Sequence, residues 1–146
     1  KQHCLNAEKT VEYLSKHKNV ARVIYPTKYD GEIGKRAKKY LKGGYGGLVG
    51  IELKGGIEAG KKFIEALKMF YHVANIGDAR SLAIHPGSTT HSQLNEKELL
   101  AAGVTPGYVR LAIGIEHIDD IIEDLEQALD RTSHNIENIK KAKAVG

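Results

Sequence analysis

The order of apolar and polar residues predicts helices that alternate with short strands along the whole chain. Segments in which apolar residues recur every three or four positions are predicted as helices. They are 2–17, 32–41, 57–70, the stretch between Asn95 and Gly103, and 118–130. Strands are predicted at 20–25, 48–53 and 108–115, with extended chain from 72 to 86 around a turn at Gly77 and Asp78. This alternation indicates an α+β domain with one sheet of about four strands, one face covered by helices and the other left for a partner domain.

Individual residues mark the ends and the buried faces of these helices. Asn95, followed three residues later by Glu98, forms a capping box, and Gly103 is suited to close the same helix. In the segment 57–70 the apolar stripe consists of Phe63, Ala66, Leu67 and Phe70. Such a stripe is typical of a helix that packs on a core rather than of a cofactor site.

The last predicted strand carries one arginine among small residues. Because alternate side chains of a strand point to opposite faces, Arg110 shares its face with Ala112 and Gly114. The other face is apolar and consists of Val109, Leu111, Ile113 and Ile115. The nearly flat surface beside Arg110 leaves room for a planar anion, and a guanidinium binds a carboxylate through two hydrogen bonds. An edge-strand arginine paired with a neighbouring glutamate is the alternative that the pattern leaves open.

The length and composition favour a single domain. With 146 residues, of which 41% are hydrophobic, the chain has enough apolar material for one compact core. It begins at Lys1 inside a predicted helix and its only methionine is Met69, so we expect a piece of a longer protein. No long apolar run or leader-like segment is visible in the sequence. Cys4 is the only cysteine, which excludes an internal disulfide and favours a reducing cytoplasm.

The charge distribution does not favour nucleic-acid binding. The 22 basic residues exceed the 18 acidic ones by only four. Lys35, Lys38 and Lys39 lie on the predicted outward side of the helix 32–41, opposite an inward side of Ile33, Ala37 and Leu41. A solvated helix face therefore explains the basic cluster, and no known nucleic-acid-binding motif accompanies it.

Two short motifs resemble sites that the rest of the chain does not support. Residues 55–62, GGIEAGKK, match a phosphate-binding loop except at Lys62, where a magnesium-binding hydroxyl is required. Lys28, in the sequence ThrLysTyr after Pro26, resembles a Schiff-base lysine, but we expect it in a surface turn. The seven histidines form no metal-ligand pattern, and no nucleophilic triad is visible.

Three long segments closely resemble the Cys/Met-metabolism family of pyridoxal-phosphate enzymes. They are EAGKKFIEALKMFYHVANIGDARSL at 58–82, GDARSLAIHPGSTTHSQL at 77–94 and ELLAAGVTPGYVRLAIGIEHIDDIIEDLEQAL at 98–129. HisCysLeuAsnAla at 3–7 also fits, so the resemblance extends from the first helix to about residue 131. It covers only the family's C-terminal domain, a small antiparallel sheet with helices on one side. The resemblance thus implies that 1–146 is this domain and that the pyridoxal-phosphate-binding domain lies outside the chain.

The resemblance implies a γ-replacement reaction in which acetate leaves O-acetylhomoserine and sulfide or a thiol adds to give homocysteine or methionine. The family's larger domain supplies the Schiff-base lysine and holds the pyridoxal phosphate, so we expect this chain alone to be inactive. By the motif match, Arg110 binds the α-carboxylate of the amino-acid substrate, with Ser81 beside the same carboxylate and Thr90 nearby. The resemblance also implies a homotetramer.

The chain departs from the family pattern at two positions of this site. Ala112 replaces a frequent serine and Gly87 a frequent alanine. The motifs favour the sulfhydrylase branch of the family, while methionine γ-lyase and cystathionine γ-synthase share the arginine and remain alternatives. A stand-alone binding or assembly domain and a nucleotide-binding protein are the alternatives from other functional classes.

Overall fold

The computed structural model describes residues 1–89, 93, 96–101 and 103–144. For residues 96, 99 and 133–144 it describes the backbone and not the side chains. The helices are α1 Gln2–Leu14, α2 Gly31–Tyr40, α3 Gly56–Ala66, α4 Glu96–Ala101 and α5 Ile118–Ala144. The strands are β1 Val20–Ile24, β2 Leu48–Leu53, β3 Tyr71–His72, β4 Leu82–Ile84 and β5 Tyr108–Ala112. Short 3-10 turns lie at Pro26–Lys28 and Pro86–Ser88. None of the described helices is long and apolar enough to cross a membrane.

The strands form one five-stranded sheet in the order β1-β2-β5-β4-β3. All neighbouring pairs are antiparallel except β3 and β4, which are parallel. The predicted α+β architecture is confirmed. The sheet has one strand more than expected because Tyr71 and His72 pair with β4.

The core lies between one face of the sheet and the helices α1, α3 and α5. Val49 and Ile51 of β2 and Val109 and Leu111 of β5 are completely buried, as strand alternation requires for one face. The helices cover this face with fully buried side chains at Leu14, Phe63, Leu125 and Leu129. The opposite face includes Arg110, and there it adjoins an open groove that Ile33, Ala37 and Leu41 also line.

The structure differs from the predicted pattern in α2 and at the end of β5. Ile33 and Leu41 were expected to face the core, but they are 59% and 41% exposed. Ile115 was expected on the buried face and is 51% exposed. The strand stops at Ala112, and the N–H of Ile115 donates to the carbonyl of Ala79 instead of continuing the ladder with β2.

Asp124 connects α5 to the chain that follows α3. This carboxylate is 6% exposed. Its oxygens accept backbone N–H bonds from Lys68 at 2.9 Å, Met69 at 2.9 Å and Phe70 at 3.2 Å. The contact fixes the path between α3 and β3 and therefore the edge of the sheet.

Candidate functional site

Arg110 lies in the centre of the sheet. Its strand β5 is hydrogen-bonded to β2 on one side and β4 on the other, with Gly50 and Ile84 directly opposite Arg110. Glu52, the glutamate on the neighbouring strand, is 3.5 Å from Arg22. Among the described side chains no carboxylate lies within 4.0 Å of the Arg110 guanidinium. The alternative of an edge-strand arginine paired with glutamate is therefore wrong.

The guanidinium of Arg110 reaches a loop from the neighbouring part of the sheet. Its Nη2 donates to the carbonyl oxygen of Asn75 at 3.3 Å. Arg110 is half-buried and Asn75 is exposed, so the contact lies at the surface. One long hydrogen bond leaves most of the five guanidinium N–H donors available to an incoming anion.

An open groove of about 490 Å³ adjoins Arg110. Its lining includes Ile24, Tyr29, Ile33, Leu48, Tyr108 and Arg110. The walls are mainly apolar, and the only charged side chain among the groove's lining residues is that of Arg110. A groove of this kind suits a partner surface or ligand that combines an anionic group with apolar atoms.

Gly50 allows Tyr108 to lie beside Arg110. A Cβ atom at Gly50 would come within 2.8 Å of Tyr108 Cε2 and 3.1 Å of Ile24 Cβ. The tyrosine ring thus occupies the space that a side chain on β2 would take. Burial raises the pKa of Tyr108, while the Arg110 cation opposes this shift.

Ser81 lies at the other end of the β4–β5 pair. It is completely buried, and its hydroxyl donates to Glu116 Oε2 and accepts the N–H of Gly114, both at 2.9 Å. Ser81 precedes Leu82, which lies opposite Ala112, whereas Arg110 lies opposite Ile84, three residues from Ser81 or about 10 Å along the strand. The structure therefore does not bring Ser81 into contact with Arg110.

The loop that was predicted to carry Thr90 is organised by His85. Thr90 itself lies outside the described residues. His85 is completely buried, with Nε2 2.8 Å from the carbonyl of Pro106 and Nδ1 2.9 Å from Ser88 Oγ. Because a carbonyl only accepts, Nε2 carries the proton and Nδ1 accepts from Ser88. This histidine links the start of the loop to the chain that enters the Arg110 strand.

Asn75 is the neighbour of Arg110 that the sequence reasoning missed. Its carbonyl reaches the guanidinium because the chain between β3 and β4 turns back over the sheet at Gly77, where φ is +83°. The turn at Gly77 and Asp78 was predicted, and it was the one sequence feature that could have pointed to the contact between Asn75 and Arg110. The distance between Asn75 and Arg110 in sequence hid the contact.

The described lysines do not fit a covalent pyridoxal phosphate site. A Schiff-base lysine needs a desolvated amine, but every described lysine side chain is exposed except the half-buried Lys62. Lys28 is exposed beside the 3-10 turn, as predicted. Lys61 lies 3.1 Å from Glu58, and a Cβ at Gly60 would collide with the His85 ring, so packing explains the glycine of the loop-like motif.

The fold and the site define an α+β domain that presents an arginine from a central strand beside an open groove and has no buried lysine side chain among its described residues. The family model described as Cys/Met metabolism PLP-dependent enzyme matches residues 1–130. The chain belongs to this family of pyridoxal-phosphate-dependent enzymes.

Curated relatives include both sulfhydrylases and lyases. The chain is 54% identical over 129 residues to an O-acetyl-L-homoserine sulfhydrylase of Leptospira meyeri, covering 88% of this chain and 29% of the relative. It is 45% identical over 130 residues to an L-methionine gamma-lyase of Fusobacterium nucleatum subsp. polymorphum, covering 89% of this chain and 33% of the relative. The chain thus spans about a third of the length of these relatives.

A solved structure has the same fold. It is a putative O-acetylhomoserine (thiol)-lyase from Campylobacter jejuni, determined with N'-pyridoxyl-lysine-5'-monophosphate. The two chains superpose with a TM-score of 0.79 at 42% sequence identity, over 88% of this chain and 31% of the other. The similarity supports the family assignment at the level of structure as well as sequence.

Proposed function

We propose that residues 1–146 are the C-terminal, substrate-carboxylate-binding domain of a longer pyridoxal-phosphate-dependent sulfhydrylase. The whole enzyme would make homocysteine or methionine from O-acetylhomoserine and sulfide or a thiol. The observation that carries this proposal is the Arg110 guanidinium, which faces an open groove from a central strand without a carboxylate partner among the described side chains. The sulfhydrylase relative at 54% identity supports the choice of reaction.

In this proposal the chain supplies the residues that bind the carboxylate of the amino-acid substrate. Arg110 binds the α-carboxylate, and Asn75 borders the same site through the loop that contacts the guanidinium. Ser81 supports the site from within the protein, since both of its polar groups are already engaged. Thr90 remains a predicted contact. A fixed carboxylate determines which bond at Cα faces the reacting group, so Arg110 affects rate as well as binding.

The remainder of the site belongs to the proposed larger domain. Pyridoxal phosphate supplies the electron sink when it is bound there, and the exposed or half-buried state of the described lysine side chains supports a Schiff base located elsewhere. The open apolar groove beside Arg110 offers a surface on which that domain would pack. We also propose a cytoplasmic homotetramer; the single cysteine supports the compartment, and family resemblance supports the subunit number.

Replacing Arg110 by alanine in the full-length enzyme tests the carboxylate role. We expect kcat/KM to fall by the equivalent of about 2 to 5 kcal/mol of transition-state binding free energy, the usual effect of removing one partner of a desolvated charge pair. Arg110→Lys should recover only part of the activity because lysine keeps the charge but loses the paired donors. Steady-state kinetics with O-acetylhomoserine and sulfide give the measurement. An unchanged kcat/KM in Arg110→Ala would refute the assignment.

The isolated chain should not bind pyridoxal phosphate covalently. Since no described lysine is desolvated, we expect no imine absorbance band and no adduct after borohydride reduction. Mass spectrometry of the reduced mixture provides the measurement, with the full-length enzyme as the positive control. A stoichiometric adduct on Lys28 or another single lysine would contradict the division of the site between two domains.

Methionine γ-lyase activity is the second candidate, favoured by the 45% identical lyase relative. The two reactions differ in their products, because elimination gives a 2-oxo acid and ammonia whereas replacement gives a new thioether or thiol amino acid. Assays of the full-length enzyme with methionine alone and with O-acetylhomoserine plus sulfide distinguish them.

A further inference from the structure

Glu116 holds the start of β4 with both oxygens of its carboxylate. The backbone N–H of Ser81 donates to Oε1 at 2.6 Å, and the Ser81 hydroxyl donates to Oε2 at 2.9 Å. The same hydroxyl accepts the N–H of Gly114 at 2.9 Å. Hydrogen bonds to an ionised carboxylate are stronger than those between neutral groups. This half-buried carboxylate is therefore a firm two-point attachment for the chain at Ser81.

The contact is close because position 114 has no side chain. A Cβ at Gly114 would collide with Glu116 Oε2 and lie 2.5 Å from the carbonyl oxygen of Ala79. The N–H of Ile115 donates to that same carbonyl at 2.8 Å. Two short segments, 79–81 and 114–116, are thus bound together just beyond the regular ladder of β4 and β5.

Asn6 of α1 fixes the other side of this attachment. Its side chain is almost completely buried, at 1% exposure. Nδ2 donates to the carbonyl of Gly114 at 3.1 Å and to the carbonyl of Glu116 at 2.9 Å. The backbone at Glu116 is therefore held by a core helix, so its carboxylate extends from a backbone position that is anchored to the core.

The segment attached to Glu116 continues backwards to the loop that meets Arg110. From Ser81 the chain passes Arg80, whose N–H donates to Asp78 at 2.9 Å, turns at Gly77 and reaches Asn75. The Asn75 carbonyl accepts from Arg110. On its other side the loop follows the two-residue strand β3, and residues 75–77 are exposed. The hydrogen bonds between Ser81 and Glu116 therefore help to determine the position of Asn75.

We infer that Glu116 is a positioning residue for the carboxylate site: through Ser81 it holds the Asn75–Ser81 loop at the distance from Arg110 that the bound substrate requires. The inference rests on the proposed role of Arg110. Because Glu116 acts on the loop and the guanidinium rather than on the reacting atoms, its removal should weaken substrate binding more than the chemical step.

Kinetics of the full-length enzyme test the inference with Glu116→Ala and the conservative Glu116→Gln. We expect Glu116→Ala to raise KM for the amino-acid substrate about tenfold, with kcat changed less than about twofold, the signature of weakened binding. Glutamine retains one acceptor oxygen and should recover part of KM. Because Glu116→Gln preserves the size of the side chain, it carries the test if the alanine variant does not fold.

Asp124→Asn is the matched control. Asp124 likewise accepts backbone N–H bonds with its carboxylate, although it is more buried than Glu116, and its contacts lie at Lys68–Phe70. The Asp124→Asn substitution should lower Tm without changing KM for the amino-acid substrate. The second comparison places Glu116→Gln in the Arg110→Ala background, where it should cause no further loss in kcat/KM.

The outcomes separate the two proposals. Wild-type KM in both Glu116 variants, an equal rise in Asp124→Asn, or additive losses in the double variant would overturn the inference while leaving Arg110 in its role. An unchanged kcat/KM in Arg110→Ala would refute the proposed function itself, and the positioning role with it.

Discussion

His85 shows how one buried side chain connects packing to solution conditions. Its ring is enclosed, lies against the α-carbon of Gly60 and uses both nitrogens in hydrogen bonds. Burial lowers the pKa of His85 below its usual value of 6.5, the hydrogen bond to Pro106 opposes this, and the charges of Lys61 and His72 add to the lowering. The folded protein therefore favours the neutral imidazole.

We predict that the chain loses stability as pH falls below about 6.5. In the unfolded state His85 takes up a proton near that pH, whereas in the folded state it does so only at lower pH. The unfolded state thus binds more protons in this window, and the free energy of unfolding decreases as pH decreases, by at most about 1.4 kcal/mol per pH unit for one group. Denaturant titrations between pH 8 and 5 measure this slope.

His85→Gln isolates the contribution of this histidine. Glutamine offers a donor for the Pro106 carbonyl but does not titrate, so the slope should become smaller. Some slope will remain because burial also lowers the pKa of His17. An identical slope in the variant and the parent chain would show that His85 is not responsible.

At the scale of residues, the sequence predicted the place of Arg110 in its strand but not the groups that surround it. The carboxylate-binding role of Arg110 rests on the family resemblance and stays a prediction. Its place on a strand face with small residues could be identified from alternation alone. The partner of Ser81 could not, since Glu116 lies 35 residues away and meets it only through the fold. Asn75 was missed for the same physical reason: a loop contact depends on tertiary packing rather than on a periodic pattern.

Among the elements, α5 depends on Asp124 for its connection to the sheet edge. We predict that Asp124→Ala lowers the free energy of unfolding by about 2 to 4 kcal/mol, because several backbone N–H groups at Lys68–Phe70 lose a charged acceptor where water has little access. Chemical denaturation monitored by circular dichroism gives the value.

Glu123→Ala is the control for this prediction. Glu123 is the preceding acidic residue of α5 and is exposed, so its removal should change the free energy of unfolding by no more than about 0.5 kcal/mol. Equal losses in the two variants would mean that the carboxylate contacts of Asp124 do not carry the effect.

Most elements could be predicted because their apolar periods are strong, as in β2, which begins and ends where the pattern places it. The strand β3 was harder, since two residues provide no alternation to detect. The end of β5 was placed too far along because Ile113 and Ile115 continue the pattern, whereas the chain leaves the ladder to meet Ala79. Asn95, the predicted cap of α4, lies outside the described residues.

On the scale of the whole molecule, the sheet face that carries Arg110 adjoins an open, mainly apolar groove. Ile33, Leu41 and Leu48 line the groove beside Arg110 and remain substantially exposed. The sequence indicated an uncovered face but assigned Ile33 and Leu41 to the core, because periodicity shows which side of a helix is apolar and not what covers it.

We predict that the isolated chain self-associates through this groove, since contiguous exposed apolar surface favours association. Sedimentation velocity over a range of concentrations should show dimers or larger species. Ile33→Lys should shift the distribution toward monomer. Leu5→Lys, which alters an exposed leucine of α1, should not. A chain that stays monomeric at high concentration would contradict the prediction.

The central position of β5 has a consequence for motion. Its backbone is hydrogen-bonded on both sides, so the amides around Arg110 should exchange their hydrogens only when the sheet opens as a whole. Residues 75–77 are exposed and can open locally on a much shorter timescale. In the proposed anion site, β5 around Arg110 would thus open slowly and preserve the geometry. Residues 75–77 would open quickly and let the ligand enter and leave.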